Sequence, residues 1–379
     1  MFKHIENVNF YSKSKKFSTQ VDIPFHEDAI EFLDELSTII LKDRIAVKYT
    51  DILSLAFWMR KKNIKQLKKS FFNKNNNKIG LGNILHITPT NVPTNFAYSF
   101  IFGFLTGNSN LVKLPSRDFK QVDIICKKIN FLLNKKKYLK YKCSNLFFKY
   151  ESTNTGITNI FSKNSDVRMV WGSDDTIKAI KKIDTKIKVK DLYFTEKYSI
   201  SIISSAKYLS SKKSSKINLA KKFYNDTFIF DQNACTSPRL VLWQGNIKDN
   251  SDAKLIFWNL LKEVVLRKYN IDHASSVNKY KNFLLDMTQD KKFTRFKNYS
   301  NLIYVVQLKK ISKDIYKEFK NFGYFYEFDI KNINSVKDLL SSKIQTLSYY
   351  GFSKIFLKEF IFKNKINKID RITKIGDTM

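Results

Sequence analysis

Apolar residues recur at helical spacing between Pro24 and Phe72. This periodicity predicts two or three amphipathic helices that form an N-terminal cover. The preceding residues, 1–22, are basic and show no regular pattern, which predicts an irregular lead-in. A polar run, NKNNNK at 73–78, separates the helices from the rest of the chain.

Short apolar runs and amphipathic stretches alternate after this polar run. The predicted strands include IGLGNILHIT, SNLVKLP, VRMVWGS and YSISIISS, with helical stretches such as PTNFAYSFIFGFL, FKQVDIICKKINFLL and DDTIKAIKKI between them. Strand–helix–strand repetition predicts a parallel, doubly wound sheet covered by helices. A Ser/Lys stretch at 204–216 marks a second boundary, after which the turn DQNACTSP precedes the strand RLVLW.

The length and composition fit a folded chain of several domains. At 379 residues, 43% of them hydrophobic and 15% aromatic, the chain has enough apolar material for two to three cores. No apolar run approaches the ~20 residues that cross a bilayer, and the N-terminus lacks the apolar stretch of a secretory signal. We therefore expect no membrane span and a cytoplasmic location.

The net charge of +34 comes almost entirely from lysine, since 60 of the 68 basic residues are Lys and 8 are Arg. Sites that read nucleic acid usually use arginine as well, because its planar group binds phosphate and guanine in a bidentate manner. The lysines are also spread along the chain rather than gathered in one block. We interpret them as solvated surface and expect no specific nucleic acid partner. Attraction of an anionic partner or substrate is the alternative.

Three strand ends carry polar side chains. They lie in HITPTNVP at 86–93, GNSNLVKLPS at 107–116 and WGSDD at 171–175. In open α/β sheets ligands bind beyond the carboxyl ends of the strands, near helix N-termini that attract phosphate. Ordinary turns remain the alternative interpretation for each segment taken alone.

The three cysteines show neither zinc-ligand nor disulfide spacing, so we predict no metal site. Cys235 has small neighbours in the turn FDQNACTSPR, where backbone N–H groups can lower a thiol pKa and bind a developing oxyanion. A buried structural cysteine is the alternative for this pattern by itself. Cys126 and Cys143, in a helical and a lysine-rich stretch, are interpreted as inert.

Seven stretches together resemble one known family. They are FWMRKKNI at 57–64, PTNVP at 89–93, LVKLPS at 111–116, VWGS at 170–173, DQNACTSP at 231–238, QTLSYYG at 345–351 and DRITKIG at 370–376. On these stretches the chain resembles the acyl-CoA reductases typified by the fatty acid reductase of bacterial bioluminescence. That family of long-chain acyl-protein thioester reductases is a divergent branch of the aldehyde dehydrogenase superfamily.

The resemblance implies roles for individual residues. It implies that Cys235 attacks the acyl carbonyl as a thiolate to form a thioester, and that the Asn91 amide donates to the tetrahedral oxyanion, where one donor is worth ~3–4 kcal/mol. The expected cofactor is NADPH. Its expected contacts are Thr88, Pro89, Lys113, Ser116, Gly172 and Ser173, with Arg117 added from its position as a cation for a 2′-phosphate.

The implied fold is α/β and aldehyde dehydrogenase-like, with two doubly wound α/β domains under an N-terminal helical cover. The predicted domains are the lead-in and helical cover (1–72), a nucleotide cofactor-binding domain (73–204), a catalytic domain with the nucleophilic cysteine (205–335) and a segment that returns to the cofactor domain (336–379).

Three departures from the superfamily pattern bear on these expectations. The usual general-base glutamate precedes Gly-Gly-Lys, whereas here the stretch is YFTEKY at 193–198, so Glu196 is a candidate base without a clean alignment. No G-x-G-x-x-G occurs, as in the superfamily generally. The chain ends shortly after Gly376, where relatives usually continue, and homo-oligomerisation is therefore left open.

The predicted function is NADPH-dependent reduction of a fatty acyl thioester to the aldehyde. The acyl group would come from a fatty acyl-CoA or from an acylated partner protein similar to an acyl-protein synthetase. One alternative is a basic binding protein that has kept the fold but has lost its activity. Another is a family member whose activity depends on a partner. Aldehyde oxidation is a weaker alternative, because the glutamate motif is missing.

Overall fold

The computed structural model describes residues 5–12, 14, 16–72, 77–289, 292–312, 314–339, 343–367 and 369–378. Most of the polar run predicted as a breaker at 73–78 lies outside these ranges. The chain divides into two compact units, Met1–Glu196 and Lys197–Met379. Each unit has its own β-sheet, so each is described separately.

The first unit is built on a largely parallel sheet. Its described strands are β1 (Asn9–Phe10), β2 (Asn83–Ile87), β3 (Ser109–Lys113), β4 (Asn145–Lys149), β5 (Val167–Gly172) and β6 (Lys190–Thr195), in the order β1-β4-β3-β2-β5-β6. Its helices are α1 (Glu27–Leu41), α2 (Thr50–Trp58), α3 (Lys61–Phe71), α4 (Asn95–Leu105), α5 (Lys120–Leu133), α6 (Thr155–Lys163) and α7 (Asp174–Lys181). Only β1 pairs antiparallel among these strands.

Both faces of this sheet are buried, because successive strand residues point in opposite directions. On β3, Val112 joins the core formed with α1–α5, whereas Leu111 joins the core formed with α6 and α7. The predicted helical cover is confirmed: the Phe32 ring on α1 lies 5.2 Å from Phe104 and 5.1 Å from Tyr138. The doubly wound arrangement is therefore confirmed for this unit.

An ion pair between a buried arginine and a half-buried aspartate joins the last two strands of the first sheet. Arg168 on β5 and Asp191 on β6 are direct neighbours in the ladder, and the guanidinium binds the carboxylate through two hydrogen bonds of 2.7 and 2.6 Å. Burial acts to raise the pKa of Asp191, but hydrogen bonds from Arg168 and Tyr193 outweigh it and lower that pKa. Arg168 also donates to the Ile180 carbonyl at the end of α7.

The second unit holds a longer sheet. Its described strands are β7 (Tyr198–Ser204), β8 (Pro238–Gln244), β9 (Phe293–Tyr299), β10 (Ile303–Leu308), β11 (Tyr324–Ile330), β12 (Ile344–Tyr350) and β13 (Arg371–Lys374), in the order β13-β12-β7-β8-β11-β10-β9. Its helices are α8 (Ser205–Leu209), α9 (Lys213–Phe228), α10 (Ile247–Lys268), α11 (His273–Met287) and α12 (Lys354–Lys363). The ladders are parallel except that between β9 and β10.

This sheet is also covered on both faces. Leu240 and Leu242 of β8 pack in the core that includes residues of α11 and α12, and Val241 and Trp243 pack in the core formed with α9 and α10. Among the described residues, no helix has the length and apolar content needed to span a membrane.

Two predicted domain boundaries are wrong. The cofactor domain was expected to run to residue 204, but β7 (Tyr198–Ser204) is a central strand of the second sheet. The segment 336–379 was expected to return to the first domain, but its strands β12 and β13 pair with β7 and with each other. The hydrophobic pattern marks a strand without showing which strand lies beside it, and this explains both errors.

We expect Arg168→Leu to destabilise the first unit by about 1–3 kcal/mol, because the half-buried carboxylate of Asp191 loses two hydrogen bonds and the positive charge of the arginine. Urea unfolding followed by circular dichroism should show the loss as a lower midpoint. The matched control is Arg44→Leu at an exposed site, where a change within about 0.5 kcal/mol is expected. Equal midpoints for the two variants would contradict the assigned role of this pair.

Candidate active site

A tight turn between α9 and β8 presents Cys235. Asp231 and Gln232 have left-handed backbone conformations, with φ of 52° and 60°, which non-glycine residues adopt only when their surroundings hold them there. The Gln232 N–H donates to Thr227 O at 2.7 Å, and the Asn233 N–H donates to Phe230 O at 2.8 Å. These bonds reverse the chain immediately after the helix.

The buried side chain of Gln232 fixes this turn to two strands. Its Oε1 accepts hydrogen bonds from the N–H groups of Gly323 and Tyr324, both at 3.0 Å, at the start of β11. Its Nε2 donates to Pro238 O, also at 3.0 Å, at the start of β8. Gln232 is fully buried, so loss of its amide would remove one buried hydrogen bond from each of these three groups.

Arg239 forms a second set of contacts beneath the turn. This buried arginine donates to Gln232 O at 2.7 Å and to Asn321 Oδ1 at 2.9 Å. Asn321 in turn donates to Asn233 Oδ1 at 2.7 Å. On the other side, Ser199 of β7 donates to the carbonyl oxygen of Cys235 at 2.7 Å. The backbone on both sides of the thiol is therefore held by buried polar groups.

Opposing influences act on the half-buried thiol of Cys235. Burial raises its pKa and is the largest effect. The charge of Arg239, the Cys235 backbone N–H, the charge of Arg371 and a hydrogen bond from the Gln345 side chain all lower it, without fully offsetting burial. Cys235 is thus mainly protonated at neutral pH, in surroundings that favour the thiolate once it forms.

The predicted cofactor residues gather at one edge of the first sheet. Lys113 ends β3, Gly172 ends β5, and Thr88 follows β2, which lies between those two strands. The Thr88 hydroxyl donates to Lys113 O at 2.7 Å. Lys113 is buried, and its Nζ lies 4.7 Å from the centre of the Tyr150 ring. The carboxyl ends of these strands therefore form a common edge, as predicted.

Gly172 and Ser173 form the turn into α7. A Cβ at Gly172 would lie 2.9 Å from the side chain of Thr176, so a larger residue would push against the first turn of the helix. Ser173 is the N-cap of α7, and its hydroxyl accepts from the Thr176 N–H at 3.3 Å. Ser173 therefore caps the helix at the end of β5.

The remaining predicted residues of the first unit are more exposed to solvent than Thr88 and Lys113. Pro89 is half-buried after Thr88, and Ser116 and Arg117 lie beyond β3, with Arg117 exposed and 5.2 Å from the centre of the Phe119 ring. Asn91 and Glu196 are both exposed, before α4 and after β6 respectively. Their assigned roles stay predictions.

The comparison with protein families decides the broad assignment. The model of the acyl-CoA reductase (LuxC) family matches residues 1–306. The chain belongs to this family. The matched region covers the whole first unit and includes Cys235, so the protein is an oxidoreductase of the acyl-CoA reductase type. No curated protein matches the chain by sequence.

Solved structures similar to this acyl-CoA reductase show the aldehyde dehydrogenase fold. A salicylaldehyde dehydrogenase from Pseudomonas putida G7, in complex with salicylaldehyde, matches with a TM-score of 0.63 at 12% identity, covering 94% of this chain and 79% of that one. A 1-pyrroline-5-carboxylate dehydrogenase from Thermus thermophilus matches with a TM-score of 0.62 at 9% identity, covering 93% and 74%. At these identities the likeness shows the fold alone.

Sequence reasoning gave no role to five residues around the thiol of this reductase. Gln232 and Arg239 flank Cys235 in the turn segment, where only the cysteine was singled out. Gln345 and Arg371 lie in two of the stretches that resemble the family. Ser199 carried no local signal, because its contact with Cys235 depends on the pairing of β7 with β8.

We expect alkylation of Cys235 by iodoacetamide to rise about tenfold per pH unit from pH 7 to 8.5, because only the thiolate reacts and the thiol pKa is raised. Peptide mass spectrometry can follow each cysteine separately. Cys126, which is buried, is the internal control and should react only after unfolding. If the rate of Cys235 alkylation no longer increases above pH 7, burial is not the largest influence on the pKa of this thiol.

We expect Gln232→Ala to lower the free energy of unfolding of the second unit by at least about 3 kcal/mol, because three buried backbone groups each lose a partner at roughly 1–3 kcal/mol. Urea unfolding measures the loss. The matched control is Gln244→Ala, whose side chain makes one bond, to Lys331 O at 3.2 Å. A loss no larger than that of the control would mean that the amide does not hold the turn.

Proposed function

We propose that this reductase converts a fatty acyl thioester to the aldehyde, with NADPH as reductant and a covalent thioester on Cys235 as intermediate. The observation that carries the proposal is the Cys235 turn: a thiol held on a fixed backbone, with two arginines and an amide donor favouring its thiolate. These groups partly offset the burial that raises the pKa of the thiol, and groups that favour the thiolate assist a cysteine nucleophile. Membership of the acyl-CoA reductase family supports the acyl substrate.

The proposed chemistry at Cys235 has two parts. First, the thiolate attacks the acyl carbonyl carbon, a new C–S bond forms, and the carrier leaves as its own thiolate. Cys235 gives up its proton to a general base or to solvent, and the carrier thiolate takes the negative charge as the carrier–acyl C–S bond breaks. Later, the reduced acyl carbon releases Cys235 as a thiolate when the C–S bond breaks, and the aldehyde is free. Stabilising the thiolate therefore helps at both ends of the cycle.

The edge of the first sheet fits a nucleotide cofactor. Thr88, Lys113 and Gly172 lie together at the carboxyl ends of parallel strands, where α/β sheets bind ligands. Ser173 begins α7, and a helix N-terminus attracts phosphate. When bound, NADPH supplies the hydride that reduces the acyl carbon. Lys113 and Arg117 are the proposed cations for its 2′-phosphate, with Pro89 and Ser116 as further contacts.

Three further assignments complete the proposal. Asn91 is proposed to donate its side-chain amide to the oxyanion, and Glu196 is the candidate general base. The acyl donor is a fatty acyl-CoA or an acylated partner protein, and both are thioesters of the same chemistry. The +34 net charge favours an anionic donor such as CoA.

We expect incubation with a long-chain acyl-CoA to give an acyl adduct on Cys235, visible by intact mass and discharged on addition of NADPH. Cys235→Ala should abolish both the adduct and NADPH oxidation, because no other residue is proposed to carry the acyl group. Cys143→Ala is the matched control and should keep both. A folded protein that forms no adduct with any of several acyl lengths would favour the basic binding protein without activity.

A further inference from the structure

The second residue of strand β12, Gln345, has no role in the reaction proposed above. The stretch QTLSYYG at 345–351 resembles the family, and its first residue, Gln345, lies next to the amino end of β7. The neighbouring strand on the other side is β13, where Arg371 is the direct partner of Thr346. The amino ends of these parallel strands therefore meet where Ser199 holds the Cys235 carbonyl.

Two irregularities in the sheet occur at this point. Along β12, Ile344 pairs with Tyr198 and Thr346 pairs with Ser199, so Gln345 is an extra residue in the ladder. Along β8, Pro238 pairs with Ser199 and Leu240 pairs with Ile200, so Arg239 is likewise an extra residue in its ladder. Such bulges redirect a side chain out of the regular alternation and are often found beside active sites. Here they flank Ser199 on both sides.

The side-chain amide of Gln345 lies beside the thiol, where it acts to lower the pKa of Cys235. Its Oε1 is buried and accepts no hydrogen bond from any residue that the structure describes. The Gln345 main-chain carbonyl, by contrast, accepts from the Asp370 N–H at 3.0 Å, which fixes the backbone. The backbone of Gln345 is thus fixed by the sheet, and its side-chain amide is left beside the thiol.

We infer that Gln345 is a catalytic residue that donates a hydrogen bond to the sulfur of Cys235 and stabilises the thiolate both as nucleophile and as leaving group. Hydrogen bonds to an ionised acceptor are stronger than those to a neutral one, so the amide favours the thiolate over the thiol. The charges of Arg239 on β8 and Arg371 on β13 act on the same sulfur. The inference rests on the proposed function only in treating Cys235 as the nucleophile.

The contribution of Gln345 can be measured without any acyl substrate. The test is the pH profile of Cys235 alkylation by iodoacetamide in the full chain, read by peptide mass spectrometry. Gln345→Met keeps the length of the side chain and removes the donor. We expect it to move the profile upward by about one pH unit, so that alkylation at pH 8 falls about tenfold. Gln345→Glu should move the profile further, since its carboxylate ionises before the thiol and repels the thiolate.

The matched control is Gln244→Met, the same substitution at the carboxyl end of β8, and its profile should coincide with that of the unchanged protein. Circular dichroism establishes that each variant is folded. A Gln345→Met profile that coincides with the control would overturn the inference. If one of the two Gln345 variants fails to fold, the other still tests the inference. Loss of the donor and addition of a carboxylate are each expected to shift the pH profile of Cys235 alkylation.

A second measurement separates this inference from the proposed function. If the Cys235 acyl adduct forms, Gln345→Met should slow acylation about tenfold at pH 8 and leave the concentration of acyl-CoA for half-maximal rate unchanged. If no adduct forms in the unchanged protein, the proposed function fails, yet a shifted alkylation profile would still establish Gln345 as the donor to the thiol.

Discussion

The geometry of the nucleophile turn depends on the side-chain amide of one residue, Gln232. Its oxygen accepts hydrogen bonds from two backbone N–H groups at the start of β11, and its nitrogen donates to a backbone carbonyl at the start of β8. These three bonds link the turn to both strands. Because these groups are buried, loss of the amide would cost each of them one hydrogen bond that water does not readily replace. The left-handed conformations of Asp231 and Gln232 are tolerated for the same reason, since the surrounding bonds hold them. Everything proposed for Cys235 requires this fixed backbone.

The two units use opposite ends of their strands. In the first unit Thr88, Lys113 and Gly172 lie at carboxyl ends, where a doubly wound sheet normally binds its ligand. In the second unit Ser199, Arg239, Gln345 and Arg371 lie at or near the amino ends of four adjacent parallel strands. The thiol is thus surrounded by residues from across the second unit that share one level of the sheet.

The large positive charge is mostly a property of the surface. In the lysine-rich stretch 134–142, Lys135 and Lys137 pair with Glu35 and Glu31 of α1 at 2.9 and 2.6 Å, in positions open to solvent. Such exposed pairs contribute little stability each, about 0–1 kcal/mol. This local pairing supports the interpretation of the lysines as solvated surface. Near Cys235 the cations are the two arginines instead.

The sequence by itself determined the features that are local. Alternating apolar runs fixed the two-sided sheets and the helical cover, and the turn around Cys235 was visible because small and turn-forming residues lie together. Strand partners are not local, so β7 and the segment 336–379 were assigned to the wrong sheet. The bulges at Arg239 and Gln345 were equally hidden, because a bulge exists only relative to a paired strand. Only the tertiary structure could therefore bring Ser199, Gln345 and Arg371 to the thiol.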